Sequence, residues 1–153
     1  MSLLPVADAL AKVVTGVAPL PAETVALQAT RGRVLASAIT ALRTQPGFNA
    51  SAMDGYAVRA EDAQAGASLE VIGESAAGHG YAGRVGPNQA VRIFTGAPVP
   101  DGADAVVIQE QTRREAGGIV VEAAANPGQH IRSRGLDFAE GRQALTPGTV
   151  IGP

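Results

Sequence analysis

Three stretches of the chain set polar side chains among small residues, the pattern of a loop that another molecule can approach. The first is Phe48–Val58, with Asp54 just before Gly55 at the head of an apolar run. Ala50, Ser51 and Ala52 leave its backbone open to close approach. A carboxylate placed like Asp54 either presents its charge to an incoming molecule or caps a turn by accepting a backbone N–H. The second stretch is Arg92–Ile108, where an apolar run leads into Thr95-Gly96. A hydroxyl beside a bare backbone suits an oxyanion. The alternative is a strand–loop–strand unit whose prolines and glycines only shape the turn, with Asp101 and Asp104 as caps. The third stretch is Gly128–Asp137. Arg132 and Arg134 are two apart and share a face if the segment is extended. Guanidinium groups match phosphate-like oxyanions. Asp137 follows the Gly135 turn and can pair with either arginine, which at a surface is worth only ~0–1 kcal/mol.

Other chemistry is excluded. The chain has no cysteine, hence no disulfide, thiolate metal site, iron–sulfur cluster or cysteine nucleophile. It has no P-loop, no G-x-S-x-G and no H-E-x-x-H. Gly78-His79-Gly80 opens like a dinucleotide fingerprint but lacks the third glycine and a following helix. His79 and His130 have no partner at ligand spacing and read as surface or turn residues. With 12 basic and 14 acidic residues the net charge is -2, which argues against a nucleic-acid partner. No apolar run nears the ~18–20 residues of a membrane span, and no basic segment precedes an apolar one as in a secretory signal. The expectation is a soluble, cytoplasmic, globular unit.

The elements that must position these loops are short. Hydrophobic residues make up 46% of the 153 residues but aromatics only 3%, so the core must be Val, Ile, Leu and Ala. Gly 19 and Pro 10 together exceed the usual ~12% of a chain. That excludes a long helical bundle. Leu4, Val6, Ala7, Leu10, Val13, Val14 and Val17 recur at helical spacing, and the pattern predicts one helix over 5–15. Val25–Leu27 and Val34–Ala36 read as short strands around Arg31-Gly32, and 34–42 fits strand or helix. Pro46-Gly47 marks a border. Strands are expected at Tyr56–Val58, at Leu69–Ile72 ending before Gly73, and at Ala90–Phe94. Ala105–Ile108 is apolar on both faces and reads as a central buried strand. Gly117-Gly118 reads as a hairpin turn between Gln111–Glu115 and Ile119–Glu122. Gln143–Leu145 and Thr149–Ile151 flank the Pro147-Gly148 turn. The fold class is mainly β (α+β): an N-terminal helix, an elongated β sub-domain at 47–134, and a small β linking domain formed by 1–46 and 135–153.

In order and spacing, the segments resemble the molybdopterin molybdotransferase family, which includes MoeA and the E domain of gephyrin. Ala50–Ala57 matches its N-S-A-M-D-G-Y-A segment, and Arg92–Val107 matches R-I-x-T-G-A-x-V-P-x-G-A-D-A-V-V. Gly128–Asp137 matches G-x-x-I-R-x-x-G-x-D, and Pro147–Ile151 matches the final P-G-T turn. Two departures stand out: Asn49-Ala50 where the family often has Asp-Asn, and Leu136 where it usually has Glu. The family's S-G-G-x-S-x-G and P-G-N-P-V-S segments, which belong to a pterin-binding α/β domain, do not occur here. The resemblance therefore implies the N-terminal part of such a protein.

What the resemblance implies is a transferase of molybdenum cofactor biosynthesis. It inserts molybdate into adenylylated molybdopterin, releasing AMP, with Mg2+ as the divalent metal. Asp54, Thr95 and Asp137 would be catalytic. Ser51, Gly96, Arg132 and Gly135 would bind the cofactor substrate, and Asp54 would face the metal. The family's cleft lies between this β domain and the α/β domain of a partner subunit, which implies a homodimer in the full-length form and an incomplete site in this chain alone. An adenylylating enzyme of the same pathway is the implied protein partner. The rival readings are a non-catalytic dimerisation or protein-binding module of the same architecture, and an unrelated small-molecule-binding β-barrel.

Overall fold

The computed structural model describes residues 4–152; positions 1–3 and 153 of the expected linking domain lie outside the described residues. Two compact units emerge, one from the segments up to Ala38 and from Leu145 onward, the other Ile39–Ala144.

In the first unit, α1 covers Val6–Val14, within the helix expected at 5–15. Asp8 in its first turn and Lys12 in its last oppose the helix dipole favourably. The Thr15 hydroxyl donates to Ala11 O at 2.7 Å, and Gly16 turns the chain away at φ +83°. Residues 25–29 differ from expectation. Instead of a strand, Leu27–Ala29 forms a 3-10 turn, closed by the Thr30 hydroxyl donating to Leu27 O at 2.7 Å. A threonine that bonds back along its own backbone draws the chain into a turn and out of a ladder. Val34 makes only an isolated antiparallel bridge, to Val150, supported by the Leu35 N–H donating to Thr149 O at 2.8 Å. Among the described residues none of this unit is buried.

The strands that pair into sheets belong to the second unit, except for Leu145 at the end of the last one. The strands β1 (Ile39–Thr40) and β10 (Gln143–Leu145) pair, as do β2 (Ala50–Ser51) and β9 (Ile131–Arg132). The remaining strands are β3 (Gly55–Val58), β4 (Ser68–Ser75), β5 (Gln89–Ile93), β6 (Ala105–Ile108), β7 (Thr112–Glu115) and β8 (Gly118–Val121). They form one six-stranded sheet in the order β6-β3-β5-β4-β8-β7. Every pairing is antiparallel except β4 with β5. The β7–β8 hairpin turns at the expected glycines, Gly117 having φ +80°. Its partner strand β4 runs on past Gly73 instead of ending before it. A register shift falls between Val71 and Gly73, and the Tyr81 ring occupies the space a side chain at Gly73 would need, 2.8 Å from its Cβ position at Tyr81 Cδ2.

Ala105–Ile108 is a terminal strand of the sheet, not the central one its two apolar faces suggested. It is buried all the same, because the 126–129 segment covers its open edge. Val106 N–H donates to Gln129 O at 3.0 Å, and Gly128 N–H to Asp104 O at 2.7 Å. The period-2 alternation of β3 and β6 splits the core into two faces. Tyr56, Val58, Leu69, Val107, Ile119 and Val121 pack on one; Ala57, Val85, Val91, Ile93 and Val106 pack on the other. Burying each Val, Leu or Ile contributes roughly 1.5–3 kcal/mol. This core fixes the ends of β3, β5 and β9, from which the three polar loops project.

Candidate functional site

The loops converge through backbone pairing. Antiparallel pairing of β2 with β9 sets Ala50 opposite Arg132 and Ser51 opposite Ile131. The Thr95-Gly96 turn docks on the same strand, with Gly96 N–H donating to Ser51 O at 2.8 Å and Ser51 N–H to Ala97 O at 2.9 Å. Gly96 has φ +82°, a conformation an L side chain rarely adopts, so the turn itself requires glycine there. Ser51 is buried, and its hydroxyl donates to Met53 O at 2.6 Å, which bends the chain toward Asp54.

Asp54 caps the Thr95 turn. Its Oδ1 accepts the Thr95 N–H and the Thr95 hydroxyl, each at 2.8 Å. Its Oδ2 accepts no hydrogen bond from the described residues and remains available. The Thr95 N–H and then its hydroxyl hold the Asp54 carboxyl below the ordinary carboxylate value; desolvation opposes this and Arg92, the weakest of the four, adds to it. The group is therefore anionic well into mild acid.

Arg132 Nη2 donates to Asp137 at 3.0 Å (Oδ1) and 3.4 Å (Oδ2), which settles which arginine the aspartate meets. Both side chains are about half exposed, at 50% and 40%. The pair orients a guanidinium, and its contribution to stability is small. Gly135, at φ +75°, carries the chain back so that its N–H donates to Pro46 O at 2.9 Å and the Asp137 N–H to Gln45 O at 3.0 Å.

Together these segments enclose a cavity of about 360 Å³. Ser51, Thr95, Gly96, Arg132 and Asp137 line it. Asp54 stands one hydrogen bond behind Thr95, and Gly135 shapes the turn outside the wall. Gln45–Phe48 also line the cavity; Phe48 opened the first polar stretch, whereas Pro46-Gly47 was read only as a border and Gln45 was not singled out. Asn49 was also passed over as a participant: its Oδ1 accepts the Arg134 N–H at 2.9 Å and ties the first loop to the third. A polar residue just before a strand is the only local signal of that role. Among the described residues no three His, Cys, Asp or Glu cluster as a metal site. Arg132 is the cation in the lining that can meet an oxyanion; the Thr95 N–H, the Thr95 hydroxyl and the Gly96 N–H are spent on Asp54 Oδ1 and Ser51 O, so the turn shapes the wall without donating to a ligand, and Asp54 keeps Oδ2 as one hard oxygen behind it.

Comparison with known proteins gives this geometry a lineage. A molybdopterin molybdenumtransferase of Nostoc sp. is 41% identical over 84% of this chain and 31% of its own length. A Staphylococcus aureus protein of the same name is 36% identical over 98% of this chain and 37% of its own. The chain thus spans about a third of the length of these curated relatives. The crystal structure of a molybdopterin biosynthesis moeA protein from Pyrococcus horikoshii superposes with a TM-score of 0.78 at 40% identity, covering 86% of this chain and 36% of that one. The family model described as the MoeA N-terminal region, domains I and II, matches residues 4–153. A match over nearly the whole length, with strands and loops in the corresponding places, makes the chain a member of the MoeA N-terminal region family.

Proposed function

We propose that the chain is the N-terminal part of a molybdopterin molybdotransferase, supplying half of a site that inserts molybdate into adenylylated molybdopterin and releases AMP. The observation that carries this reading is the convergence of Thr95, Gly96, Arg132 and Asp137 on one cavity, with Asp54 anchored to Thr95 behind it. In this reading Arg132 binds an oxyanion of the substrate, and Asp137 fixes its guanidinium plane. Ser51 and Gly96 hold the backbone of the turn, Gly135 holds the Arg132–Asp137 segment, and the Thr95-Gly96 turn lies against the bound anion.

The residues present fit a magnesium ion in one way only. Asp54 Oδ2 is a single hard oxygen, and Mg2+ commonly takes one or two carboxylates with substrate phosphates and water completing its shell. When bound, the ion would supply charge neutralisation and polarisation of a phosphoanhydride. Asp54 would hold it, kept anionic by Thr95. No pair of carboxylates within this cavity serves as a resident metal cage. The rest of the site belongs, in this proposal, to an α/β domain of a partner subunit in a homodimer. The protein would act in the cytoplasm on substrate delivered by an adenylylating enzyme of the pathway. The division of labour follows the β-rich sub-domain at 47–134 and a linking domain from 1–46 and 135–153.

The test is an assay of the 153-residue chain alone with adenylylated molybdopterin, molybdate and Mg2+. No turnover and weak pterin binding are expected. Turnover by the chain alone would show a self-contained site and overturn the half-site reading.

A further inference from the structure

A second cavity, of about 570 Å³, shares no lining residue with the first, although the charge of Arg92 in its wall also acts on Asp54. It runs across five neighbouring strands, from Tyr56 on β3 and Arg92 on β5 to Arg114 on β7. The strands between them present Gly73 and Gly118, which bring no side chain to fill it. Both arginines are held by one residue. Arg92 lies over the Tyr56 ring at 5.3 Å and the Phe94 ring at 4.7 Å. Arg114 Nε donates to the Tyr56 hydroxyl at 3.2 Å.

Among the described residues these two cations have no carboxylate partner. Arg92 donates to Gly55 O at 3.0 Å and to Gln109 Oε1 at 2.9 Å, both neutral acceptors. The terminal nitrogens of Arg114 have no hydrogen-bond or ion-pair partner among the described residues. Two guanidinium groups held at one tyrosine repel each other, and a shared anion relieves that repulsion. Arg92 is already fixed by two rings and two hydrogen bonds, so little ordering cost remains when it meets an anion. The one acid in the lining, Glu74, sits beside Arg92 in the strand register and makes no ion pair among the described residues. It leaves the cavity with a net positive charge and competes with any anion there.

We propose that this cavity is a second oxyanion site, taking a phosphate-class group between Arg92 and Arg114. The Val71 and Ile72 side of the lining is apolar, so the group can be a free anion or the head of an organic phosphate.

The experiment titrates the chain with inorganic phosphate, and separately with phenyl phosphate, at constant ionic strength, following the arginine Nε–H and the Gly73 and Gly118 amide signals by NMR. Saturable shifts at these positions are expected, unchanged in Arg132→Ala and weakened at least about tenfold in Arg114→Ala. Tighter phenyl phosphate identifies an organic phosphate as the source; equal affinity identifies the free anion. Glu74→Gln, on an exposed position, removes the competing charge and is expected to tighten binding, and it carries the test should Arg114→Ala fail to fold. Shifts that do not saturate, that persist in Arg114→Ala, or an affinity unmoved by Glu74→Gln overturn the proposal.

Discussion

Replacing Gly55 by alanine tests how the core positions Asp54. Gly55 opens β3 between β5 and β6, opposite Ile93 on one side and Ile108 on the other. An added Cβ would overlap the Val107 carbonyl oxygen and lie 2.9 Å from both Val107 C and Ile108 Cα. These are backbone atoms in a buried strand and cannot swing aside like a side-chain tip. Relieving the overlap requires β3 and β6 to separate by about 1 Å, and overpacking of this kind costs ~1–3 kcal/mol. Alanine returns ~0.4–1 kcal/mol by stiffening the unfolded chain. Because the obstacle is backbone, the cost sits near the top of its range, and the net loss should be about 2 kcal/mol. For a chain of this length that is roughly 4–8 °C in Tm. The displacement also acts on the neighbouring residue: as Asp54 moves from Thr95, its carboxyl titration should rise toward the ordinary value. Urea unfolding and carbon-detected NMR titration on one preparation read both effects. A variant within about 0.5 kcal/mol of the parent, with Asp54 titrating as before, would refute the reasoning.

Two further outcomes follow from single hydrogen bonds. Asp104 Oδ1 accepts the Ala60 N–H at 2.7 Å, and Ala60 is buried. Asp104→Ala orphans that donor and should cost ~1–3 kcal/mol, whereas Asp104→Asn keeps an acceptor and should stay within about 0.5 kcal/mol; equal losses in the two by urea unfolding would contradict the assignment. The lowered Asp54 carboxyl contributes stability above its unfolded value and loses it as pH falls through the folded one. The stability gap between the parent and Asp54→Asn should therefore be constant near neutrality and close in acid, and a gap that widens on acidification would reverse the sign.

Elements built from local chemistry were legible in the sequence. The 3.6 period of Leu4–Val17 marks α1, and two glycines between apolar runs mark the β7–β8 hairpin. The misread elements depend on distant partners. Nothing local shows that Tyr81 fills the space beside Gly73 and lets β4 continue, or that residues 126–129 cover the edge of β6. Between Val25 and Arg33 the apolar residues suggested a strand, and the Thr30 hydroxyl decided for a turn. The site divides in the same way. Asp54, Thr95, Gly96, Arg132 and Asp137 stand out because their types suit oxyanion chemistry and they sit beside small residues. The Asn49–Arg134 link and the Gln45–Phe48 wall arise from chain ends brought together across the whole β unit, which spacing does not encode.

The most direct measurement of the central claim is molybdenum insertion by a full-length molybdotransferase carrying this chain with Asp54→Asn. The amide oxygen can still accept both Thr95 hydrogen bonds, so the turn should be preserved and the Tm lowered only by the small gap described above. Only the charge and the free hard oxygen at Oδ2 are lost. The account predicts a fall in insertion of at least ~10²-fold in a variant that still unfolds cooperatively with only a small drop in Tm. Full activity in the normally folded variant would contradict it and leave Asp54 as a turn cap alone.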